Sequence, residues 1–110
     1  MSTGRSGQRV ADIQPTRLAL LNAGAAEAAT LTECLAVDFA ALMRATLPET
    51  GADAIAAMHQ AAEQGISRRM ALAARLIHQQ HGMAAVEELD HHRSDTVRGW
   101  ACFMIGAAAG

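Results

Sequence analysis

The chain contains no lysine and no tyrosine. All of its formal positive charge is therefore arginine, whose planar guanidinium suits bidentate contacts to carboxylate or phosphate. Arginine-only usage also accompanies GC-rich coding. The glycine-containing stretches "GAAEAAT" and "GAAAG" have neither the lysine nor the spacing of a phosphate-binding loop. Aromatic residues are scarce, being Phe39, Trp100 and Phe103 alone. With many small side chains and few β-branched ones, close-packed helices are favoured over sheet. The two cysteines, Cys34 and Cys102, are too far apart in sequence for a redox pair or a zinc knuckle. They indicate a reduced, cytosolic setting. Long apolar runs are also missing. The segment "RLALLNAGAAEAA" breaks at Asn22, too soon for a signal peptide, and nothing approaches the length of a membrane span. The chain reads as soluble and cytoplasmic. A net charge of −2 argues against a strongly basic, non-specific nucleic-acid binder, though not against a local basic stripe.

What is present is helical punctuation. Residues 1–14 are polar and aperiodic and read as a disordered tail, leaving one domain over 15–110. Pro15 suits the first position of a helix that Gly24 closes. Thr30 and Glu33 have capping-box spacing, and Pro48 ends a helix whose apolar face holds Leu31, Leu35, Phe39, Leu42 and Met43. A third helix spans about Ala52 to Gln64, with Ile55, Met58 and Ala62 inward and Gly65 as C-terminal cap. Ser67 caps a fourth, with Met70, Ala73, Ala74 and Ile77 in its stripe and Gly82 at its end. A short helix covers "MAAVEELD". After a turn at His91–Arg93, Ser94 or Asp95 caps a last helix, Thr96 to about Ile105. The pattern predicts an all-α antiparallel array of about six helices. Similar helix starts at Ser67 and Ser94, near thirty residues apart, suggest stacked helical repeats.

The closing stretch "SDTVRGWACFMIG" is the most specific motif. Asp95, Val97, Arg98, Ala101, Ile105 and Gly106 resemble the HEAT-repeat pattern. Val97, Ala101 and Ile105 fill the core at four-residue steps, and Arg98 bridges to a neighbouring repeat. Gly99 leaves room for another backbone. With "LTECLAVDFAALMRATLP" and "GISRRMALAARLI" before it, the chain over about residues 15–106 resembles the N-terminal half of the DNA alkylation repair family, which includes the AlkC and AlkD glycosylases. That resemblance implies HEAT-like repeats forming an α-solenoid that cradles duplex DNA with alkylated bases. It also implies base excision without metal or organic cofactor by complete members. The acidic, tryptophan-bearing helix that follows in complete chains has no match here. No catalytic residue is therefore assigned, and a domain truncated at its C-terminus is expected.

Four residues are the candidates for DNA contact. Arg98 offers a bidentate guanidinium, or else a structural link between repeats. Arg68 and Arg69 stand at a helix start, where backbone N–H groups already favour an anion, or else form a solvated charged end, with Arg69 also able to pair with an acid across helices. Trp100 suits a sugar or base contact, or else the core. Asp38, between Leu35 and Leu42 on the apolar side, is either a paired structural aspartate or a charge stabiliser for excision. His78 and His81 share a helix face and His91–His92 follow in a turn, but no HExxH or nearby cysteine completes a metal set. Spacing supports no Ser-His-Asp triad. The alternative function is a non-enzymatic HEAT-type scaffold. It would bind a protein partner through an exposed apolar groove that includes Trp100 and Met104, or self-associate through an uncapped last repeat, and exposure of Phe103 and Met104 would mark the solenoid as unfinished.

Overall fold

A computed structural model describes residues 9–109. Among them there is no strand, and the protein is all-α. Seven α-helical segments follow one another: α1 (Pro15–Asn22), α2 (Leu31–Ala36), α3 (Phe39–Thr46), α4 (Ala52–Gln60), α5 (Ile66–His81), α6 (Val86–Asp90) and α7 (Asp95–Ala109). A 3-10 turn at Val10–Asp12 precedes α1, and others at Pro48–Thr50 and Gly82–Ala85 join α3 to α4 and α5 to α6. Most of the expected 1–14 tail, residues 1–8, lies outside the described residues. Within the remainder, Ile13 is buried.

The number rises from six to seven because the helix expected from Thr30 to Pro48 is two. Val37 is extended (φ −61°, ψ 131°), and Asp38 caps α3 by accepting the Ala41 N–H at 3.1 Å. The Asp38 N–H donates to Asn22 Oδ1 at 2.8 Å. These side-chain bonds replace the helical ladder at the break. The kink turns Val37 and Phe39 into the core and frees Leu31 and Leu35, the former 74% exposed. Asp38 is thus an exposed cap, not an acid on the apolar side. Asp38→Ala is expected to cost about 0.5–2 kcal/mol, the usual range for a lost N-cap, read from the denaturation midpoint.

Two further boundaries differ from the sequence reading. Helix α4 stops at Gln60, and its inward residues are Ala54 and Met58, with Ala61 just beyond. Ile55 is half-buried and Ala62 exposed. Gly65 precedes α5 as its N-cap, in extended geometry, so it closes nothing, and Ser67 falls inside the helix. The α5 stripe is as expected: Met70, Ala73, Ala74 and Ile77 are buried, and Gly82 ends the helix at φ 66°.

Helix α7 carries the centre of the core. Ser94 Oγ accepts the Val97 N–H at 3.3 Å and so caps it. Val97, Trp100, Ala101 and Met104 are buried, but Ile105 is 47% exposed. At about 100° per residue, Met104 points within roughly 20° of Val97 whereas Ile105 points about 80° away. Position 104 therefore takes the core place assigned to 105. Gly99 is closely approached, though by a side chain: a Cβ there would meet Met70 Cε at 3.0 Å. Helix α7 packs on both α5 and α6; α3 packs on α1 and α4, and α4 reaches α5. Phe39 joins the two groups, its ring meeting Trp100 edge-on at 5.8 Å and 62°.

Candidate nucleic-acid interface

The start of α7 is tied to the loop between α1 and α2. Asp95 Oδ1 accepts the Ala28 N–H at 2.9 Å. The Arg98 guanidinium donates to the Glu27 carboxylate and to the carbonyls of His92 (2.8 Å) and Arg93 (3.0 Å). Arg98 thus links two segments far apart in sequence, with both its Nη atoms bonded within the protein. His92 completes this joint, its Nδ1 accepting the Ser94 N–H at 3.0 Å. Burial, then the neighbouring Arg93 charge, pushes His92 below its ordinary value, in keeping with a neutral ring at an acceptor position.

The other three candidates lie apart from Arg98. Trp100 is 0% exposed, and its Nε1 has no acceptor. A nucleotide reaches this ring only if the core opens. Arg69 is 8% exposed, with its guanidinium 4.8 Å above the Phe39 ring centroid. Arg69 and Trp100 therefore meet through Phe39, within the protein. Arg68 alone is fully on the surface, beside a groove between α5 and α7.

That groove has a volume of about 1160 Å³ and is lined by Arg68, Arg75 and His78 with Leu72, Phe103 and Met104 among others. No acid lines it. Arg75 was not singled out from the sequence, although it follows Arg68 by seven residues and so shares its helix face. Among the described residues neither arginine makes an ion pair. Phe103 is exposed, but Trp100 and Met104 are buried, so neither residue expected to form an exposed apolar groove is open. The "GAAAG" segment stays helical through Ala109. Its Gly106, Ala107 and Ala108 line the groove and do not fold over it.

The remaining polar groups are structural in geometry. The histidines do not converge: His78 faces the groove, His81 bonds Thr50 Oγ1 at 3.2 Å, and His91 bonds the Glu87 carbonyl at 2.8 Å. No group of three His, Cys, Asp or Glu side chains among the described residues could hold a metal. Both cysteines are free thiols, Cys34 held above its ordinary value chiefly by burial. No helix of the described residues is long and apolar enough to cross a membrane.

Glu33 does more than its capping spacing implied. It accepts two bonds from Arg17, Nε at 3.0 Å and Nη2 at 2.9 Å, and also the Ala29 N–H at 2.8 Å. The Thr30 hydroxyl oxygen accepts the Glu33 N–H at 3.1 Å, as the capping box predicts. The Arg17 bonds, then the Ala29 amide, hold the Glu33 carboxyl down to about 2 from an ordinary 4.5. A depressed carboxyl adds stability that is present above the unfolded value and lost as pH falls through the folded one. Stability is therefore expected to decline between pH 4.5 and about 2. Glu33→Gln is expected to flatten that decline in melts recorded across the window.

No protein-family model matches the chain, and no curated protein or solved structure matches it.

Proposed function

We propose that this chain is a DNA-cradling, HEAT-like helical segment of the DNA alkylation repair type. It resembles the N-terminal repeats of an alkylbase glycosylase and lacks a complete catalytic site of its own. One observation supports the reading: several residues of the closing motif, though not Ile105, have packing parts of the kind a helical repeat would give them. Ser94 caps α7, Val97 and Ala101 are buried, Arg98 ties α7 to a distant loop, and Gly99 leaves room for Met70. Arg68 and Arg75, unpaired on one helix face beside an acid-free groove, are the side chains best placed for backbone phosphates. Arg98, Arg69 and Trp100 support the framework behind that face.

The partner in this reading is duplex DNA with alkylated bases, and any chemistry would be metal-free release of an alkylated base. Asp38 is committed to capping α3, so no acid is assigned to stabilise an oxocarbenium-like sugar. The reading predicts binding of methylated duplex without release of base, measured on one sample by anisotropy and by chromatography of freed bases. Release by this chain would show that an acid within it performs the excision. A folded chain that binds no duplex would remove the proposal.

A second reading is a protein-interaction scaffold, favoured by the apolar floor of the same groove, where Phe103 stands open. It predicts partner binding or self-association that is insensitive to salt, the opposite of phosphate contact.

A further inference from the structure

Arg69 is the least expected charge in the molecule. Its side chain is more than nine-tenths buried, its Nε has no acceptor, and among the described residues no carboxylate pairs with it. The Phe39 ring beneath the guanidinium offsets part of the desolvation. Only its Nε is wholly enclosed, yet a largely buried arginine left without an anion is a costly arrangement, and a ligand that supplied one would relieve it.

Beside it lies a cavity of about 250 Å³ at the break between α2 and α3. Arg69 lines it, with Leu35, Val37, Phe39 and Met58. Asp38 also borders the cavity, but its carboxylate bonds the Ala41 N–H and makes no ion pair with Arg69. We infer that this cavity is a binding site for a small monocarboxylate with a short aliphatic body. The guanidinium fork matches a carboxylate through two parallel N–H···O bonds. One positive charge matches one negative charge, with Asp38 nearby opposing any larger one. The apolar walls suit a hydrocarbon tail and are poor surroundings for a hydrated phosphate dianion. The volume lies below the range of drug-sized ligands, so the occupant is small.

Trp100 is the single tryptophan of the chain and touches Phe39, so its emission reports on the ring beneath Arg69. The test titrates the full chain with sodium butyrate, with sodium chloride at equal ionic strength and inorganic phosphate as comparisons. The inference predicts a saturable change in Trp100 emission with butyrate alone. It also predicts a melting temperature raised by roughly 5–10 °C at tenfold the dissociation constant. Arg69→Met, which keeps the apolar stem and removes the unpaired charge, should abolish both effects and still melt cooperatively. Should that variant not fold, Ala62→Leu at the exposed edge of the cavity decides, with butyrate weakened about tenfold or more. A response that never saturates, that persists unchanged in these variants, or that phosphate elicits and butyrate does not, overturns the assignment.

Discussion

Replacing Trp100 by alanine is expected to destabilise the protein by about 3–5 kcal/mol, the usual cost of deleting a buried large aromatic. The side chain is fully buried where α7 meets Phe39. Its removal empties the junction between the α3–α4 group and the helices packed on α7. The surrounding helices are rich in alanine and have few long side chains with which to fill the space. A domain of this size has about 5–15 kcal/mol of total stability, so the loss is a large fraction of it. Thermal and urea denaturation should show either a much lower midpoint or no cooperative transition. Trp100→Phe should cost less, because a ring remains against Phe39. If Trp100→Ala melted like the parent chain, the junction would not be the centre of the core.

Gly24→Ala is the second large effect, and here the cause is the backbone. Gly24 has φ 75°, a region in which an L side chain strains the chain. A Cβ at this point would also stand 2.7 Å from Thr46 Cγ2 and 3.1 Å from His92 Cε1. Conformational strain of about 1–2 kcal/mol and overpacking of about 1–3 kcal/mol act together. The expected loss is therefore about 2–5 kcal/mol, measured as a fall in the denaturation midpoint. Gly51 and Gly82 also have positive φ, yet nothing lies within 4 Å of an added Cβ there. Alanine at either should cost only the strain.

Much of the helical content was legible in the sequence because its signals are local. Pro15, the Thr30–Glu33 box, Ser94 and the stripe of α5 each act within one or two turns. The break at Val37 was not legible. The periodicity of Leu31, Leu35, Phe39 and Leu42 runs straight through it, and the decision rests on Asn22, sixteen residues earlier, accepting the Asp38 N–H. Ile105 and Met104 compete for one core place, and the rotation of α7 against α5 and α6 settles it. The Arg17–Glu33 pair and the seating of Arg69 over Phe39 are likewise tertiary. Sequence spacing marks arginines as charged but does not say which will be enclosed. For the candidate interface, Arg68 was visible as an exposed helix-start charge. Arg75 was recoverable from seven-residue spacing alone.

The most direct measurement is the salt dependence of methylated-duplex binding, compared between the parent chain and the Arg68→Gln/Arg75→Gln variant. Each phosphate contact contributes about one to the slope of log affinity against log salt. The account predicts duplex binding that weakens with salt, and a slope lower by about two in a variant whose melt is unchanged. Binding with the same slope in both proteins, or no binding by a chain that melts cooperatively, would contradict it.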